Sequence, residues 1–145
     1  MKNLLFVLVL VLSGTKGYGQ NIGMTFADAD ENYILVPDDP AINFLTDFSV
    51  EVWVKPRTID HNMLVVQEGK CSTSDWSYEI WIRPDSLVEF VYDCSGSCPA
   101  DNFYTTTTKI LPGVCTHIAA TYSSAGPKIY LNGAPQVLIA TLFNV

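Results

Sequence analysis

Beyond residue 19, apolar and polar positions alternate in short runs broken by turn residues, and no long window keeps the period of a helix. The cleanest run is Phe48 to Lys55. Phe48, Val50, Val52 and Val54 fall on one face, with Ser49, Glu51, Trp53 and Lys55 on the other, and Pro56 closes the strand. Met63 to Gln67 predicts another strand. Ser77 to Arg83 and Leu87 to Asp93 predict a hairpin across Pro84-Asp85-Ser86. The threonine run at 105–108 favours extended chain because β-branched side chains suit strands. Cys115 to Gly133 then gives a second hairpin, with Ile118, Ala120 and Tyr122 sharing a face with Ile129 and Leu131 across Ser-Ser-Ala-Gly-Pro. Asn132-Gly133 supplies a further tight turn, since both residues tolerate positive φ. Near the start, Ile22 to Phe26 reads as a first short strand, followed by an acidic loop at 27–32 and then by the apolar piece Tyr33 to Pro37. Many short strands, frequent turns and no helix predict an all-β, antiparallel two-sheet sandwich.

The first residues read differently. Lys2 is followed by an unbroken apolar run from Leu4 to Leu12 and then by Gly17-Tyr18-Gly19. This is the pattern of a secretory signal peptide over 1–19, cut before Gln20. Nine apolar residues fall far short of the ~20 needed to cross a bilayer, so no membrane insertion is expected after cleavage. The expected localisation is secreted or at the cell surface, with one domain over 20–145.

Charge and cysteines narrow the chemistry. Without Lys2 and Lys16, six basic residues face fifteen acidic ones, all of the latter between Asp28 and Asp101. A net charge of −9 excludes nucleic acid as a natural partner, because few bases are present to displace counterions from phosphates. The four cysteines, Cys71, Cys94, Cys98 and Cys115, read as disulfides in an exported chain rather than as a zinc or catalytic set. Three full pairings are open. Folding about the 84–86 turn brings Cys94 near Trp76 and Cys71, which favours Cys71–Cys94 with Cys98–Cys115.

Residues Thr116-His-Ile-Ala and Thr121-Tyr122, followed by Ile129-Tyr-Leu-Asn-Gly133, resemble a segment of laminin-G-like domains, the concanavalin-A-like jelly rolls. The strand FSVEVWVK resembles a second element of the same family. The resemblance implies a jelly-roll sandwich in a secreted or surface-attached bacterial protein. Related domains continue past the Asn-Gly turn with further strands, so the domain is expected to be a C-terminally incomplete fragment. In some relatives the early loop helps to hold a structural calcium, which makes Asp28 and Asp30 the candidate ligands; the family glycine of that loop is missing here. Pentraxins share the sandwich, but Glu51 and Ala119 stand where their bridging cysteines fall, which argues against that subgroup. Cys115 stands where most relatives carry a tryptophan.

Glycoside hydrolases of this architecture carry a strand with closely spaced carboxylates. In Glu51-Val-Trp53 and Glu79-Ile-Trp81 a tryptophan takes the second acidic place, so the local catalytic signature is absent. No G-x-S-x-G occurs, and His117 has no evident catalytic partner in the sequence. The remaining signal is aromatic. Parity turns Glu51, Trp53, Glu79 and Trp81 away from the core, and a flat apolar ring beside polar groups suits a sugar. If the two strands share a sheet, both tryptophans project on one side. The alternative is that both rings pack beneath loops or against the other sheet.

The expected function is non-catalytic recognition of glycans or of a surface protein, as in adhesion. Two other readings stay open: an accessory domain of a secreted glycoside hydrolase or other enzyme, and a structural spacer. Calcium is the only cofactor in view.

Overall fold

The computed structural model describes residues 23–26, 33–37, 47–69, 77–93 and 102–142. The chain divides into two units, Met1–Pro37 and Asp38–Val145. In the first unit the described residues form no strand, and Met24, Tyr33, Ile34, Leu35 and Val36 are exposed. The short strand expected there is therefore not paired into a sheet. Alternation alone does not make a strand, because its backbone groups become a ladder only when a neighbouring strand pairs with them. Asp28 and Asp30 lie outside the described residues.

Among the described residues, the second unit has nine strands and no helix. They are β1 (Phe48–Val54), β2 (Met63–Glu68), β3 (Ser77–Ile82), β4 (Val88–Asp93), β5 (Asn102–Thr106), β6 (Thr116–Tyr122), β7 (Lys128–Leu131), β8 (Ala134–Pro135) and β9 (Leu138–Leu142). They form two antiparallel sheets, ordered β1-β6-β7-β8 and β2-β3-β4-β5-β9. The expected antiparallel jelly-roll sandwich is the observed fold. Its turns use the expected residues: Asn132 and Gly133 both have positive φ, at 50° and 79°, as a two-residue hairpin turn requires.

The core lies between the sheets. Ile80, Ile82, Val88 and Phe90 come from one side and Ile118, Ala120, Ile129 and Leu131 from the other. Ile80, Ile82, Ile118, Ala120, Ile129 and Leu131 sit at the parity read from their own strands, because successive side chains point to opposite faces. Phe48 fixes how the sheets face each other: its ring centroid lies 5.1 Å from Tyr78 and 6.2 Å from Phe90. Tyr92 lies 4.4 Å from Tyr122 across the same interior. Burial, helped by the neighbouring Tyr104 and Tyr122 hydroxyls, raises the Tyr92 phenol far above its ordinary range, so it stays protonated.

Two core features come from the 105–110 region. Thr106 is fully buried; its Oγ1 accepts the Val88 backbone N–H at 3.0 Å and donates to the Thr108 carbonyl at 3.0 Å. Ile110, from a loop, is 3 % exposed, and its N–H donates to the Ser86 carbonyl at 2.9 Å. Thr106→Val keeps the shape but leaves the Val88 N–H unpartnered in the interior. It is expected to lower stability by about 1–3 kcal/mol in a denaturant titration. A neutral result would mean that water reaches this position.

Candidate functional site

β1 pairs with β6 in the register Glu51↔Ala119 and Trp53↔His117, and β6 pairs with β7 as Ala119↔Tyr130. Glu51 and Ala119 are thus direct neighbours. Because Val50, Val52, Ile118, Ala120, Ile129 and Leu131 face inward, the alternate residues build the outer face of this sheet. One row across it reads Glu51, Ala119, Tyr130, Pro135; the next begins Trp53, His117.

Trp53 is 68 % exposed. Its ring centroid lies 5.0 Å from that of His117, and His117 Nε2 lies 3.1 Å from Glu51 Oε2. Asn132 Oδ1 accepts the His117 backbone N–H at 2.9 Å, and the Asn132 N–H returns to the His117 carbonyl at 2.9 Å. His117 therefore has a fixed backbone, a carboxylate partner and an aromatic neighbour. No local pattern pointed to that partner. The alternation of Thr116-His-Ile-Ala shows which way His117 points, but only the β1–β6 pairing puts Glu51 beside it.

Glu79 and Trp81 lie on β3, in the other sheet, so the expectation of one shared surface is corrected. The two Trp/Glu pairs decorate opposite outer faces of the sandwich. Each pair has the parity expected of it, but sheet membership depends on which distant strands meet, and strand-by-strand alternation does not encode that.

The β3 face carries two hydrogen-bonded polar groups, one on Glu79 and one on Glu89. Gln67 Nε2 donates to Glu79 Oε1 at 2.9 Å, and Trp81 Nε1 donates to Glu79 Oε2 at 2.7 Å. Arg83 Nη1 and Thr105 Oγ1 both donate to Glu89 Oε2, at 2.9 and 3.0 Å. The hydrogen bond to Glu89 raises the Arg83 pKa above its ordinary value, with the charges of Glu89 and Asp85 adding to it and partial burial opposing it. Val91, at the centre of this face, is only 3 % exposed, and Trp81 is half-buried. Gln67, Arg83, Glu89 and Thr105 were not singled out from the sequence, since they gather only when β2, β3, β4 and β5 align.

Cys115 is exposed and its thiol is free. Cys98, its expected partner, lies outside the described residues, as do Cys71 and Cys94. Among the described residues no group of three or more His, Cys, Asp or Glu side chains is gathered as a metal site.

No curated protein and no solved structure matches the chain. A family model does, over residues 28–137, which takes in every strand from β1 to β8. By that match and by its two-sheet fold, the chain belongs to the Laminin_G_3 family of the concanavalin A-like lectin/glucanase superfamily.

Proposed function

We propose that the chain is a non-catalytic recognition module that binds glycans through the outer face of the β1-β6-β7-β8 sheet, with Trp53 as the stacking platform. The fold is commonly used for carbohydrate binding or adhesion. The observation that carries the reading to this face is the exposure of Trp53, 68 % on a strand whose alternate residues enter the core. A large aromatic held open on a rigid strand, beside a carboxylate and an imidazole, offers an apolar ring face with hydrogen-bonding neighbours. By contrast, the indole N–H of Trp81 is already given to Glu79.

The test is retention of the folded protein by immobilised neutral polysaccharides. Trp53→Ala is expected to weaken binding by about tenfold, equivalent to about 1.4 kcal/mol, with the melting temperature unchanged. Undiminished binding by the folded variant would remove Trp53 from the site.

A catalytic reading has one observation behind it. Glu79 and Glu89 are diagonal neighbours on β3 and β4, where such pairs lie about 7–8 Å apart, a separation that glycoside hydrolases use. Here, however, Glu79 is held by Gln67 and Trp81, and Glu89 by Arg83 and Thr105. Both carboxylates are engaged in holding the sheet face together. Release of reducing ends by the purified chain, lost in Glu89→Gln, would revive the enzyme.

A further inference from the structure

We infer that the ligand of the Trp53 face is the interior of a neutral polysaccharide chain rather than a single terminal sugar, with Tyr130 as a second aromatic platform. This rests on the recognition reading above and adds its ligand class. Trp53 and Tyr130 lie on β1 and β7, on either side of β6, and one row apart. Two strand spacings across and two residues along put their Cα atoms about 12 Å apart. That is longer than one pyranose ring, so one sugar cannot stack on both.

Between them the face is low. Ala119 sits in the row between Glu51 and Tyr130, and we read the space over its methyl group as a shallow trough along β6. Glu51, 65 % exposed at its side chain, borders the trough, and one of its carboxylate oxygens is paired with His117. A carboxylate oxygen accepts from sugar hydroxyls without needing a charge on the sugar. The trough and its two aromatic side chains therefore run obliquely across three strands, which suits an extended chain that passes through.

The charges on this face select against a polyelectrolyte. Glu51 and Lys128 lie on it within the strands, and Asp47 and Lys55 continue the same parity at either end of β1. Two acids and two bases balance, in a protein whose overall charge is −7. A uronate or sulfated chain would find no net field to neutralise its charge, and a polycation would find none either.

The experiment is calorimetric titration of the whole chain with a monosaccharide, a disaccharide and a hexasaccharide of one neutral β-linked hexose series, and with a uronate hexasaccharide. The hexasaccharide is expected to bind about tenfold tighter than the disaccharide, the increment of a second stacked ring. Tyr130→Thr, which keeps a strand-forming residue, is expected to bring the hexasaccharide down to disaccharide affinity and to leave the disaccharide within twofold. Trp53→Ala should weaken both. Equal affinity for all lengths, or a Tyr130→Thr variant that still binds the hexasaccharide fully, would overturn the chain-interior assignment while leaving recognition by Trp53 intact. Tighter binding of the uronate would overturn the neutral class. Binding to none of the sugars, with self-association of the chain through this face instead, would overturn both readings together.

Discussion

Phe90→Ala is expected to lower stability by about 3–5 kcal/mol, the largest effect of any single truncation in the sandwich. Phe90 is fully buried on β4, the middle strand of the five-stranded sheet. It pairs with Ile80 on one side and Tyr104 on the other, and its ring lies 6.2 Å from Phe48 and 6.0 Å from Tyr92. Removing it takes away one of the two ring contacts, with Tyr78 the other, through which Phe48 of β1 meets the opposite sheet, and ordered strands on both sides limit how far the cavity can collapse. Since small domains are stable by only about 5–15 kcal/mol, the variant should be close to unfolding at room temperature. Chemical denaturation checks it: the midpoint falls while the denaturant slope stays the same. Phe90→Leu should lose much less. A loss below about 1 kcal/mol for the alanine variant would mean that the two sheets are not held together here.

Trp81→Ala should do the reverse of Trp53→Ala. It is expected to lower stability by about 2 kcal/mol, from lost half-buried ring area and one hydrogen bond, and to leave glycan affinity within twofold. Trp81 stands between Leu64 and Glu89 on its neighbouring strands and donates to Glu79 at 2.7 Å. Without it, Glu79 keeps Gln67 alone. Trp81→Phe retains the ring and loses the N–H, so it separates the two contributions; about half of the loss should return. The paired measurement is a thermal or denaturant melt alongside binding to the same polysaccharide. If Trp81→Ala instead abolished binding in a stable protein, the recognition surface would lie on the β3 side.

The two tryptophans also show where sequence reasoning reaches and where it stops. Alternation settles parity, because the side-chain period of a strand is a local property of the backbone. Val50, Val52 and Val54 were therefore readable as inward and Trp53 as outward, and likewise Ile80 and Ile82 against Trp81. The turn at Asn132-Gly133 was readable for the same reason, since positive φ is a preference of those residues themselves. Together these features were enough for the all-β sandwich; the family was legible only through the likeness of Thr116-His-Ile-Ala, Ile129–Gly133 and the β1 strand to its motifs.

What they did not contain was which strand meets which. β1 joins β6 across more than sixty residues, as in the Glu51 to His117 contact at |i−j| = 66, and β3 joins a different sheet. The same long-range pairing placed Ala119 between Glu51 and Tyr130, gave His117 its carboxylate, and tied Glu79 and Glu89 into the opposite face. Ile110 and Thr106 were missed on similar grounds: a loop isoleucine and one threonine among four carry no periodic signal, and become core only when the chain folds over Val88 and Ser86. The sequence by itself determined the faces of each strand and the architecture that such strands must build. The tertiary structure alone decided which faces share a sheet, because strand pairing is chosen by the summed burial and hydrogen bonding of segments far apart in the chain.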